Sequence, residues 1–341
     1  MTVSRREFIR SAAAVGVGLG GSVLLGASAS HAADKIKIKL QTDWVASSRY
    51  LGEVVAQEMG FYAEEGVSVT IELGGPTNTG VPSVAAGSTD LGLISTSPTI
   101  LAARSGNIPL KCIAVGYQRH PYSLYSLPKK PIRSAKDLVG KKIGIAKSGF
   151  IVIQAVMKKN NLPLDSVELI ALANDVAPLF SGQVDAVASW ATDATKLSKI
   201  GAEAIPLAFW DTGVQLYANP YYATDTMIEQ RPDMLAAFIA GTARGWAYAK
   251  EMPESAIDML IKAYPVLDRG SELKSVQTAL GYALNADTKT EGWGAMRKAM
   301  WQNQVDLFEQ IGQFKDGIVP TVDDVMTMKI LDMTKDKRPK I

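Results

Sequence analysis

Ala85-Ala86-Gly87-Ser88-Thr89-Asp90-Leu91-Gly92-Leu93-Ile94-Ser95-Thr96-Ser97-Pro98 reads as a helix end, a tight turn, a buried strand and a hydroxyl-rich loop that opens the next helix. Gly87 stands where a helix end needs positive φ. The short apolar run 91–94 suits a parallel strand. Ser95, Thr96 and Ser97 then lie at the carboxyl end of that strand. Ligands of open α/β sheets bind there, because free N–H groups and the helix dipole favour an acceptor or anion. A second copy of the pattern runs Ser181-Gly182-Gln183-Val184-Asp185-Ala186-Val187-Ala188-Ser189-Trp190. Two such units suggest two α/β lobes facing one cleft. Two unrelated helix–turn–strand units would read the same way.

Upstream, Lys35-Ile36-Lys37-Ile38-Lys39-Leu40 alternates perfectly and predicts the first strand. It leads into Gln41-Thr42-Asp43-Trp44 and then Ser47-Ser48, either of which can cap a helix through Tyr50, Val54, Val55 and Met59. Gly60 ends that helix, and 61–67 reads as a turn into a strand over 68–73. Downstream, 99–105 continues as a helix and 110–117 as a strand. At Gln118-Arg119-His120-Pro121 the pattern changes, and 123–126 with Pro128-Lys129-Lys130-Pro131 reads as a crossover and loop. A strand at 142–146, a helix opened by Lys147-Ser148-Gly149, and strands at 167–172 and 184–189 follow. Beyond Tyr221 the chain reads as mostly helical. Alternating strands and helices predict mostly parallel sheets flanked by helices, an α/β architecture.

The N-terminus carries the most specific motif. Ser4-Arg5-Arg6-Glu7-Phe8-Ile9-Arg10 resembles the twin-arginine export motif. An apolar stretch with five glycines follows over 12–29, and Ser30-His31-Ala32 offers a small-x-small cleavage site. Residues 1–32 are therefore expected to be an export signal, and the periplasm the destination. Gly16-x-Gly18-x-x-Gly21 matches a dinucleotide fingerprint but lies in that signal with no strand before it.

The chain has 341 residues, 47% hydrophobic and 21% charged, which is ordinary for a globular protein with room for two domains. Leaving out 1–32 takes the formal charge from +2 to zero. Net charge thus gives no reason to expect nucleic acid as a partner. One cysteine, Cys112, excludes an internal disulfide and any multi-cysteine metal site. With His31 and His120 the only histidines, a histidine triad or a zinc site has little to be built from. No cofactor is expected.

Several of these stretches together resemble the solute-binding proteins of ABC importers, in the group covering nitrate, sulfonate, taurine and thiamine-precursor uptake. The matching residues are Gly60-Phe61-Tyr62 with Glu65-Gly66-Val67-Ser68-Val69, Gly87-Ser88-Thr89-Asp90-Leu91-Gly92, Asp137-Leu138-Val139-Gly140-Lys141-Lys142-Ile143-Gly144, Ser181-Gly182-Gln183-Val184-Asp185-Ala186 and Arg231-Pro232-Asp233. The resemblance implies a two-lobed periplasmic-binding-protein fold closing on a ligand. Lobe I would comprise 33–117 and a return over 214–341 with the C-terminal helices, and lobe II 118–213, with hinges near Tyr117-Gln118 and Thr212-Gly213. It also implies a small-molecule ligand, a membrane permease with a cytoplasmic ATPase, and a monomer without catalytic activity. Asp43, Trp44 and Gly52 fit the pattern of the thiamine-precursor branch, while Ala46, Ser47 and Tyr50 replace its proline, asparagine and histidine. Fungal relatives in that branch are pyrimidine synthases that sacrifice a histidine and use iron, so a synthase-like enzyme is the alternative of another class. A sulfonate, taurine, nitrate or aromatic carboxylate binder is the alternative of the same class.

Trp44 after the first strand and Trp190 after a lobe II strand offer flat faces for a heteroaromatic ring. Asp43 could meet a ligand amino group or cap the next helix. Ser95, Thr96 and Ser97 could supply hydroxyls, or simply cap. Lys147, Ser148 and Gly149 form the equivalent corner of lobe II, where Lys147 could neutralise an acid. Asn174 and Tyr117 complete the candidate ligand set, with His120 read as structural.

Overall fold

The alternation over 35–40 does fold as a strand, with Ile38 and Leu40 turned inward at 1% and 0% exposure. The computed structural model describes residues 35–341 except 76, 77, 79, 173 and 174, so the export-signal reading and Asn174 lie outside the described residues. The strands, in chain order, are Ile36–Thr42 (β1), Val67–Glu72 (β2), Leu91–Leu93 (β3), Leu110–Tyr117 (β4), Tyr122–Ser126 (β5), Lys142–Ile145 (β6), Glu168–Ala171 (β7), Ala186–Trp190 (β8), Ile205–Ala208 (β9) and Ala218–Thr224 (β10). They form two five-stranded sheets, ordered β2-β1-β3-β10-β4 and β7-β6-β8-β5-β9. Helices flank the sheets, so the molecule is α/β with two lobes.

The sheets are mixed. β1 runs parallel to β2 and β3, and β6 parallel to β7 and β8. β10 runs antiparallel to β3 and β4, and β5 antiparallel to β8 and β9. The reason is topological. β5 and β10 are the strands on which the chain arrives from the other sheet, and they enter without the crossover helix that enforces parallel pairing. The stretch 123–126, expected to be a crossover and loop, is strand β5. Residues 61–64, expected to be a turn, form the short helix Phe61–Glu64 after Gly60, which has φ 77°. β10 is central despite Pro220, and its register shifts between Tyr221 and Tyr222, an irregularity of the kind that accommodates proline in a sheet.

Lobe I is cored by two helices, Leu51–Glu58 and Pro232–Glu251, which cross at Gly52 and Gly245. A Cβ on Gly245 would stand 1.9 Å from the Gly52 carbonyl oxygen. A Cβ on Gly52 would stand 2.1 Å from the Trp246 indole. Trp246, Trp293 and Trp301 are each fully buried, and Trp246 stacks on Trp293 with ring centres 6.2 Å apart. Cys112 is fully buried beside the Met296 sulfur at 3.4 Å. Burial pushes its thiol pKa up, which suits an inert core residue.

Glu53 sits on the inward face of the helix Leu51–Glu58 at 0% exposure, accepting a 2.6 Å hydrogen bond from the Tyr221 hydroxyl. Its second carboxyl oxygen has no partner. Burial pushes its pKa up from 4.5 to about 7, against the smaller opposing effect of the Tyr221 bond. A raised carboxyl pKa means the folded state holds the proton that the unfolded state releases first. The stability it carries is present below about pH 4.5 and is lost as pH rises through about 7. The loss is about 3 kcal/mol at most, at about 1.4 kcal/mol per pKa unit. Thermal melts of wild type and Glu53→Gln between pH 4.5 and 8 should therefore diverge, with the wild type falling relative to the variant as pH rises. Parallel curves would refute this assignment.

Candidate functional site

The carboxyl ends of β1, β3, β4 and β8 lead to one cluster, and its centre is Arg49. This residue belongs to the 3₁₀ turn Ser48–Tyr50, started by Ser47, whose hydroxyl accepts from the Arg49 N–H at 3.4 Å. Arg49 is 7% exposed. Its Nη2 donates to Asp43 Oδ1 at 3.3 Å, Ser95 Oγ at 3.0 Å and Asn219 Oδ1 at 3.0 Å, and its Nε donates to Asn219 Oδ1 at 3.2 Å. Those partners follow β1, follow β3 and begin β10. The guanidinium lies 4.4 Å from the centre of the Trp190 ring, at the end of β8. One side chain thus ties the first sheet to the second.

Asp43 faces Ser95 with its other oxygen, accepting from the backbone N–H at 2.7 Å and the hydroxyl at 2.5 Å. Burial opposes the Arg49 charge, but Tyr50, Asp43 and Tyr117 more than offset that and hold its pKa above the ordinary value. Trp190 also meets His120 edge-on at 5.2 Å and Tyr117 at 6.4 Å. Burial, helped by Arg49, pushes the His120 pKa down to about 3, so its ring is neutral. His120 Nδ1 accepts from the Tyr122 N–H at 3.2 Å. Tyr117 is fully buried, stacks on Tyr282 and has a hydroxyl with no partner. Thr96 Oγ1 and Asn219 Nδ2 are likewise buried without a partner. Asn219 holds its place through a left-handed backbone, φ 52°, which asparagine tolerates better than most residues.

A third element reaches this centre. On the helix Arg269–Ala283, Glu272 accepts from the Ser48 N–H at 3.0 Å and Ser275 lies 3.4 Å from the Ser48 hydroxyl. Burial raises the Glu272 pKa.

Of the residues singled out from the sequence, Asp43, Ser95, Thr96, Tyr117 and Trp190 come together here. Both oxygens of Asp43 are engaged within the chain, one by Arg49 and the other by Ser95. Ser97 is fully buried and is taken up by structure, donating to the Tyr217 carbonyl at 3.2 Å and to Gln304 Oε1 at 2.5 Å. Trp44 is 37% exposed, and its carbonyl accepts from Thr42 and Tyr50. Lys147 and Ser148 are exposed at the start of a lobe II helix, and neither joins the Arg49 cluster among the described contacts. Gly149 is buried against Ile145 and the Tyr122 hydroxyl. Arg49, Asn219 and Glu272 were not foreseen. Arg49 stands in Ser-Ser-Arg-Tyr, which reads as an ordinary solvated helix start. Its burial depends on partners up to 170 residues away. Among the described residues no group of three or more His, Cys, Asp or Glu could hold a metal ion.

The family model described as NMT1/THI5 like matches residues 47–256. The riboflavin-binding protein RibY of Chloroflexus aurantiacus is 22% identical over 285 residues, 81% of each chain. A 4-amino-5-hydroxymethyl-2-methylpyrimidine phosphate synthase of Legionella pneumophila is 25% identical over 240 residues, 68% of this chain and 75% of that one. Among solved structures, the periplasmic aliphatic sulphonate binding protein SsuA from Escherichia coli matches with a TM-score of 0.64 at 17% identity, covering 83% of this chain and 95% of that one. At that identity the structural match speaks for the fold.

Proposed function

Because the chain belongs to the NMT1/THI5-like family, we propose that it is an exported solute-binding protein, capturing a small organic nutrient in the periplasm for an ABC permease. The observation that carries this reading is the Arg49–Trp190 contact between the two sheets. It lies at strand ends, beside the unpartnered polar atoms of Thr96, Tyr117 and Asn219. A flat heteroaromatic ring against Trp190, with hydrogen-bonding groups for those atoms, meets both needs. Relatives named for riboflavin and for a pyrimidine phosphate support a ring of that kind. Lobe closure around it would present a new surface to the permease.

The synthase reading has less behind it. Position 50, where the thiamine-precursor branch carries histidine, holds Tyr50, fully buried with its hydroxyl donating to the Trp44 carbonyl. Incubation with iron and pyridoxal phosphate separates the two readings, and a stoichiometric pyrimidine product would sink the binder.

The ligand is found by a thermal-shift screen against flavins, pyrimidines, sulfonates, nitrate and aromatic carboxylates. A ligand at about 100 times its Kd adds about 2.7 kcal/mol. With the compound that emerges, calorimetry on Trp190→Ala should show binding weakened by about 1–3 kcal/mol, the scale of ring stacking on aromatic side chains. Trp44→Ala, at a more exposed side chain outside the Arg49 cluster's described contacts, should lose less, and Lys147→Ala least. Unchanged binding by Trp190→Ala together with lost binding by Lys147→Ala would move the site to the lobe II corner.

A further inference from the structure

We propose that Asp43 is the cleft's own resident anion, filling the corner where an acidic ligand would bind, so that the cleft selects neutral rings over acidic ones. This rests on the ring-binding reading above and names the charge class of its ligand.

The corner has the donor set an anion needs. It combines a backbone N–H and a hydroxyl from Ser95, at the carboxyl end of β3, with the Arg49 guanidinium. Charge-assisted bonds to such donors are the strong ones. Yet the carboxylate that takes them belongs to the chain. Asp43 puts one oxygen on Arg49 and the other on Ser95, at 8% exposure. The positive charge of Arg49 is therefore matched inside the protein.

Among the described residues no second cation bonds into this corner, and Arg119 lies farther out, 5.4 Å from the centre of the Tyr282 ring. Glu272 adds a second carboxyl through the Ser48 N–H. His120, against Trp190, is neutral. Lys196 on the lobe II side donates its ammonium to the Ala188 carbonyl at 2.9 Å, with Asp193 beside it. An acidic ligand buried here would face two carboxyls with its countercharge already taken, and an unpaired buried charge is costly. A neutral ring incurs no such cost.

The matched probes are benzenesulfonamide and benzenesulfonate, alike in ring and size and different in charge. They are titrated into wild type and Asp43→Asn, with Kd read by calorimetry and the melting temperature by thermal shift. Wild type should favour the sulfonamide. Asp43→Asn, which frees the guanidinium, should gain at least tenfold in affinity for the sulfonate and show a sulfonate-dependent rise in melting temperature. If Asp43→Asn is recovered only by refolding, its yield should rise with benzenesulfonate and not with benzenesulfonamide. Tighter sulfonate than sulfonamide binding by wild type overturns the proposal. So does the absence of any sulfonate gain in Asp43→Asn. If wild type takes neither probe while Asp43→Asn gains the sulfonate, the role of Asp43 stands and the ring-binding reading is what falls.

Discussion

Arg49→Met lowers the folding free energy by about 3–5 kcal/mol, the usual scale for removing one partner of a buried ion pair. The cost is not the lost contact itself. Asp43 stays at 8% exposure with Ser95 as its only remaining donor, and Asn219 Oδ1 loses both of its donors. A methionine fills similar volume against Trp190, so the cavity contribution stays small. Urea unfolding of wild type, Arg49→Met and the double variant Arg49→Met/Asp43→Asn measures it. The double variant should recover part of the loss, because it no longer buries an unpaired carboxylate. A loss under about 1 kcal/mol in the single variant would mean that the pair behaves as a solvated surface bridge.

Gly245→Ala is the second large effect, expected near 3 kcal/mol, at the upper end of what overpacking costs. The added methyl would stand 1.9 Å from the Gly52 carbonyl oxygen and 3.0 Å from the Ala56 nitrogen. Both are backbone atoms, so no side chain can turn away. The helices Leu51–Glu58 and Pro232–Glu251 must separate, which disturbs the packing around Trp246. Gly281→Ala is the control. It lies on an exposed face of the helix Arg269–Ala283 with nothing within 4 Å of the new methyl. It should stabilise by about 0.5–1 kcal/mol through helix propensity alone. Thermal melts of both variants decide the matter, and equal effects would remove the argument from the helix crossing.

The two lobes and the strand-end position of the site were legible because local signals carry them. Gly87 takes φ 71°, and the run beginning at Leu91 is the buried strand Leu91–Leu93, with Ser95 just beyond its end. Short strands entering from the other lobe were not legible. Tyr122–Ser126 is broken by serines at 123 and 126, and Ala218–Thr224 contains a proline and an asparagine, so neither shows an apolar period. The same limit applies to the site. Ser95 and Ser97 look equivalent in sequence. The first joins Asp43 and Arg49, while the second is drawn inward by Gln304, 207 positions later. Arg49 gave no sign because a buried arginine is recognised by its partners, and these come from Asp43, Asn219 and Trp190 on three separate strand ends. Lys147 attracted notice as a loop cation, but what decides the charge of this centre is a compensated pair.

The strand order has a consequence for how the chain assembles during synthesis. The second sheet is contiguous and has all its strands once residue 208 is made. The first sheet is not. β10 lies between β3 and β4, so those two strands have no shared neighbour until residue 224 has appeared. Until then each presents an open edge, and open edges recruit other chains. Lobe II can close early as a finished unit, whereas lobe I must wait for a distant strand to slot between two waiting ones. The same late strand delivers Asn219 to Arg49, so the Arg49 cluster and the first sheet are completed in a single event.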